Sequence, residues 1–169
     1  MDDRQVVERQ LGRPPRAFRR VVVRCPWRAP AVTEQWAYDE RGEPFPTTYY
    51  LTCRYLVAAI ARLEAAGGVE RWSAEVARDA SLAGSVDRAN EEQRTLRRRL
   101  ARGATASDGG ASLDLGIGGA ARGAGGLKCL HAHAAFALAR PGYQLGERIL
   151  GELGSTWPVG GCCTLGGGN

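Results

Sequence analysis

The sequence predicts an α+β fold, a small N-terminal β-element of about three strands packed on a mostly helical C-terminal part. Two observations predict it. Runs rich in β-branched and aromatic residues, Val21-Val22-Val23 and Tyr49-Tyr50-Leu51-Thr52, fall in the first third of the chain and read as strands. From Arg54 onward the apolar residues recur at helical spacing. A block of strands followed by a block of helices is the order of an α+β protein. The 169 residues read as one domain, 1–169, long enough to bury a core without cross-links.

Each element has its own signal. Asp2 to Leu11 reads as a short helix with Val6, Val7 and Leu11 on one side, stopped by Gly12 and Pro14-Pro15. Ala17 to Arg24 is the first strand and delivers Cys25-Pro26 into a loop closed by Pro30. Ala31 to Tyr38 alternates loosely and is the second strand, and Asp39-Glu40-Arg41-Gly42 is a turn. The prolines of Pro44-Phe45-Pro46 hold the chain extended, and Thr47 to Cys53 is the third strand. A helix starts at Arg54, with Leu56, Ile60 and Leu63 on one face, and ends at Gly67-Gly68. Val69 to Ala80 is a second helix around Trp72 and Val76. Ser81 to Arg102 is a long one, its stripe running through Leu82, Val86, Ala89, Gln93, Leu96 and Leu100. Residues 103–126 are rich in glycine and alanine without a period, the composition of a flexible insert. Cys129 to Ala139 and Leu145 to Leu153 are the last helices, and 154–169 form a tail.

Composition excludes several classes. The N-terminus opens acidic and polar without an apolar segment, so no secretory signal is expected. Leu56 to Ala66 is interrupted by Arg62 and Glu64, so no membrane span is expected either. A cytoplasmic protein with five cysteines, an odd number, keeps them reduced rather than in a disulfide framework. The net charge is +5, and all but one of the 23 basic residues are arginine. Arginine, alanine and glycine share GC-rich codons and are raised together, which accounts for the arginine without a ligand. The run Arg94-Thr95-Leu96-Arg97-Arg98-Arg99-Leu100-Ala101-Arg102 could grip phosphates. It has no interleaved aromatic residues for base stacking, and a solvated, dipole-complementing helix end explains it better. Gly116-Ile117-Gly118-Gly119 follows no strand and opens no helix, so it is not a dinucleotide loop.

Chemistry concentrates in Leu127-Lys128-Cys129-Leu130-His131-Ala132-His133, which holds both histidines and the single lysine. Cys129 in a first helical turn would feel the unpaired amides and the dipole, which favour a thiolate. Within a regular helix Cys129 and His133 share a face. If Cys129 stands just before the first helical residue, Cys129 and His131 converge instead. Thiolate and imidazole are zinc ligands, and thiolates alone hold iron–sulfur clusters. Cys25 and Cys53 end strands, and Cys162 and Cys163 are adjacent. The resulting expectation is zinc, with an iron–sulfur cluster second, held through Cys25, Cys53, Cys129 and one of His131, Cys162 or Cys163. No Cys-x-x-Cys knuckle occurs, and buried inert thiols are the plain alternative. Two further readings stand beside it. One is a metal-free module binding a protein or nucleic-acid partner through helix 81–102, and the other a thiol enzyme built on Cys129 and a histidine.

Four pieces carry a resemblance: Arg9-Gln10-Leu11-Gly12-Arg13-Pro14-Pro15; Arg24-Cys25-Pro26; Gly42-Glu43-Pro44-Phe45-Pro46-Thr47 with Tyr49-Tyr50-Leu51-Thr52-Cys53; and Lys128-Cys129-Leu130-His131. Through them the chain resembles the family called domain of unknown function 501, small and mainly actinobacterial proteins. The resemblance covers Glu8 to about Leu153. It implies a cytoplasmic bacterial protein, often encoded near enolase, a septum-formation protein and an exopolyphosphatase, and it implies no particular activity. It also implies that Cys25, Cys129, His131 and often Cys53 belong to the family pattern, as does a cysteine near the C-terminus. Relatives tend to carry an Asp-Arg pair before Lys-Cys-Leu-His. This chain departs from that pattern, with Ala124-Gly125-Gly126-Leu127 in its place. His133 is outside the pattern and ranks below His131.

Overall fold

The computed structural model describes residues 2–101, 103 and 105–164. Helix α1 (Asp3–Leu11) opens with a capping box: the Asp2 carboxylate accepts from the Gln5 amide while the Gln5 side chain accepts from the Asp2 amide. Two otherwise unpaired donors are thereby satisfied. Three antiparallel strands follow in sequence order, β1 (Phe18–Arg24), β2 (Pro30–Gln35) and β3 (Tyr49–Leu51). Val32 on the central strand faces Val23 on one side and Leu51 on the other. Every residue of β2 is buried, including Glu34. Burial would raise the Glu34 carboxyl, but Arg20 and Arg19 pair with it and hold it below its ordinary value.

The expected second strand reached Tyr38, whereas β2 ends at Gln35. The Trp36 amide turns to the Ala17 carbonyl and the Ala37 amide to that of Leu100. The chain thus leaves the sheet to pack against the end of a helix.

The helical part is α2 (Arg54–Ala65), α3 (Gly68–Arg78), α4 (Ala80–Leu100), α5 (Leu130–Ala139) and α6 (Gln144–Gly151). Gly67, at φ 81, makes the left-handed turn between α2 and α3 that glycine adopts without strain. Asp79 caps α4 by accepting from the Leu82 amide at 3.0 Å. The expected end of that helix, Arg102, lies outside the described residues, as do 104 and the last part of the expected tail, 165–169. α5 sits at the centre: Leu130, Ala132, Ala134, Ala135, Phe136 and Ala137 are all buried. Its alanines let β3, α2 and α6 approach on several sides at once.

Two features differ from expectation. The glycine-rich stretch carries two single-turn 3-10 helices, Ala111–Asp114 and Ile117–Gly119, laid along α4. The Gln93 side-chain amide donates to the Gly116 carbonyl at 2.6 Å, Asn90 accepts from the Ile117 amide, and Ile117 is fully buried. A Cβ on Gly116 would come within 2.5 Å of Asn90 Oδ1, so glycine there reflects close approach. The stretch has no period because polar side chains of α4, rather than an apolar stripe of its own, hold it.

The basic run is the second difference. Arg94 and Arg97 are buried, and Arg97 donates to the carbonyls of Ser112 (3.0 Å) and Phe45 (2.8 Å). Both lie on the inner face of α4, so a phosphate-gripping surface would lose two of its arginines to the interior.

Candidate metal centre

Cys129 is the N-cap of α5, with extended backbone at φ −159. This is the second of the two sequence alternatives, and it decides which histidine meets the thiol. His131 Nδ1 lies 3.8 Å from Cys129 Sγ. His133 is on the buried side, its Nδ1 2.7 Å from the Tyr143 hydroxyl. Burial pushes His133 down to about 4, so it is a neutral core residue.

The third member comes from α2. Glu64 Oε1 accepts from the Leu130 amide at 2.7 Å, capping α5 from another helix and placing an anion at the positive end of its dipole. The same oxygen lies 3.2 Å from His131 Nδ1. Glu64, Cys129 and His131 thus present one ligand atom each, all within 4.8 Å of one another, in the group of three metal-ligating side chains found among the described residues. Each is only partly buried. From the far side of the ring, His131 Nε2 sits 3.0 Å from the Val57 carbonyl. A bond there fixes the hydrogen on Nε2 and leaves the Nδ1 lone pair facing Cys129 and Glu64, the orientation that metal-binding histidines adopt. Gly118 (φ 69) lies against this turn, where a Cβ would touch Cys129 Cβ at 3.6 Å.

Without an ion the ring carries a proton. Contact with Cys129, the Val57 carbonyl and the Glu64 charge outweigh partial burial and raise His131 to about 9. A pKa raised on folding stabilises the protein fully below the ordinary histidine value near 6.5, and that stability is lost as pH rises through about 9. Chelator-treated protein is therefore expected to lose about 2 kcal/mol between pH 6.5 and 9.5, discounted for partial exposure. Thermal unfolding across that range checks it, and His131→Ala should flatten the profile.

The other predicted ligands lie elsewhere. Cys25 Sγ is 3.8 Å from Cys162 Sγ, and Cys53 Sγ is 3.7 Å from Cys163 Sγ. These pairs sit in different apolar clusters, the first with Ala29, Trp27 and Trp157, the second at the edge of the main core. The six residues Cys25, Cys53, Cys129, His131, Cys162 and Cys163 therefore do not share one point. Burial pushes the Cys53 thiol up to about 11, against the Tyr55 and Leu56 amides that favour charge on it. Sequence reasoning missed Glu64, which it read only as an interruption of an apolar stretch. Its spacing from Cys129 carries no motif, and only the packing of α2 on α5 reveals it.

A separate cleft of about 630 Å³ lies between α3, α4 and residues 120–127, with Asn90, Glu91, Arg94 and Arg122 on its wall. None of the three metal-ligating side chains lines it. No described helix is long and apolar enough to cross a membrane.

No curated protein and no solved structure matches the chain. Residues 21–151 match the model of the family described as protein of unknown function (DUF501). That span takes in α5 and the sheet from Val21 onward as well as Glu64, Cys129 and His131, and the chain belongs to this family.

Proposed function

We propose that the protein binds a divalent transition metal, zinc first, through Glu64, Cys129 and His131. The observation that carries this is the convergence of a carboxylate, a thiol and an oriented imidazole at one helix N-terminus. Ligands on a tetrahedral ion with bonds of about 2.0–2.3 Å stand roughly 3.3–3.8 Å apart. The distances here are 3.2 Å for Glu64 to His131 and 3.8 Å for Cys129 to His131. A mixed O, N and S donor set suits zinc, whereas an iron–sulfur cluster asks for thiolates. Three protein ligands leave a fourth position for water, the arrangement of catalytic rather than structural zinc.

Chelated protein titrated with zinc against a competing indicator tests this. Glu64→Gln and His131→Ala should each weaken binding by roughly 100-fold, the upper end of what loss of even an orienting partner costs. Affinity should rise with pH as the ligands lose protons, opposite to the trend in the metal-free protein's stability. Zinc affinity unchanged in both variants would overturn the assignment.

A second reading uses the same contact differently. Cys129 and His131 at 3.8 Å form a thiol–imidazole pair at a helix N-terminus, which supports a nucleophilic thiol. It is separable by alkylation: a thiolate enzyme keeps a fast-reacting Cys129 in the presence of zinc, whereas a zinc ligand is protected by it.

A further inference from the structure

The two sulfur pairs outside this centre have a common architecture. Cys162 and Cys163 are neighbours in sequence and face different partners: Cys25 where β1 leaves the sheet, and Cys53 where α2 begins. The sulfur–sulfur distances, 3.8 and 3.7 Å, equal the edge of a tetrahedron of thiolates on one ion, about 3.8 Å for bonds of 2.3 Å. Backbone amides surround the sulfurs. Those of Trp27 and Ala29 face Cys25, the first-turn amides of α2 face Cys53, and the Thr164 amide donates to Cys162 Sγ at 3.4 Å. Arg28 takes the left-handed conformation, φ 66, that closes the turn presenting the Trp27 and Ala29 amides. It is the one described non-glycine residue with positive φ.

We infer that Cys25, Cys53, Cys162 and Cys163 form a second, all-thiolate metal centre, independent of Glu64, Cys129 and His131, that closes the C-terminal segment onto the sheet and α2. Soft cations, zinc or the iron of an iron–sulfur cluster, are the class such sulfurs select. Binding converts the thiols to thiolates and releases their protons to solvent. The pairs remain pairs: no three of the four sulfurs are within 4.8 Å of one another. Two irons, each held by two thiolates, preserve that spacing, whereas one zinc ion draws the pairs together. Among the described residues the segment is also held by Trp157 packed against both apolar clusters, by the Tyr55 hydroxyl donating to the Ser155 carbonyl, and by the Gln10 side-chain amide donating to the Thr164 hydroxyl. The metal would add a fastening to this packing.

The test is iron, zinc and acid-labile sulfide per chain in full-length protein purified without oxygen, with a visible spectrum. A Cys162→Ser/Cys163→Ser variant should lose one centre's metal, by more than 90 % on the order of a tenfold drop in occupancy. Glu64→Gln/His131→Ala should retain it, which separates this inference from the reading of the open site. Iron with sulfide and a coloured spectrum, or colourless zinc, each support the centre and identify its metal. Both substituted positions lie beyond the last helix, and an unchanged near-ultraviolet circular dichroism spectrum shows that the core is intact. Equal metal content in wild type and the Cys162→Ser/Cys163→Ser variant overturns the centre. So do Cys25–Cys162 and Cys53–Cys163 disulfides found in metal-free protein by mass spectrometry under thiol trapping.

Discussion

Arg97→Ala is expected to cost about 3–4 kcal/mol of folding stability and to lower the urea midpoint by about 1–2 M. Arg97 is 1 % exposed on α4 and ties two separate segments to the helix. Its Nε donates to Ser112 in the glycine-rich stretch and its Nη1 to Phe45 ahead of β3. Burial lowers its pKa, and the nearby Tyr38 and Asp108 act in the opposite sense. Asp108 itself accepts from the Tyr38 hydroxyl at 2.8 Å. Truncation leaves a cavity, takes the Arg97 donor from the part-buried Phe45 carbonyl, and leaves the Ser112 carbonyl with the Leu115 amide alone; an acceptor left unpaired costs about 1–3 kcal/mol. Arg97→Met restores most of the packing but no donor and should fall between. Arg98→Ala, one position along and exposed, should stay within about 0.5 kcal/mol. Equal effects at 97 and 98 would contradict the buried bridge.

Gly146→Ala should destabilise by about 2–3 kcal/mol, although alanine is the better helix former by nearly 1 kcal/mol. α6 crosses α5 at this glycine. A Cβ there would lie 2.4 Å from Ala137 Cβ and 2.5 Å from the His133 carbonyl, and neither can yield without moving α5. Because α5 carries Cys129 and His131, the same substitution should weaken zinc binding at the open site. Gly151→Ala, with nothing within 4 Å of the added methyl, is the control and should be neutral or stabilising by up to about 1 kcal/mol. Thermal melts and zinc titrations of the two variants check both statements.

Much of the local structure was legible in order. The stripe from Leu82 to Leu100 matches α4, the Val21-Val22-Val23 run lies in β1, and Pro141-Gly142 separates α5 from α6. Such signals are local, because periodicity and turn chemistry act within a few residues. The inward turn of Arg97 was also present in the pattern: it stands four after Gln93 and three before Leu100, on the buried stripe. Charge made it read as surface. A buried arginine needs carbonyls from elsewhere in the chain, and a sequence does not show which carbonyls are within reach.

By itself the sequence determined the α+β order of elements, the family, the position of Cys129 at the head of a helix, and the short roster of sulfur and imidazole groups able to hold a metal. Tertiary structure alone decided which of them meet. It brought Glu64 onto the N-terminus of α5, assigned His131 to the site and His133 to the core, and divided the remaining cysteines into two pairs. The physical reason is the range of the forces involved. Helix and strand patterns come from neighbours along the chain, whereas a ligand cluster depends on side chains more than sixty residues apart reaching within 3–4 Å, which only the packing of the core can arrange.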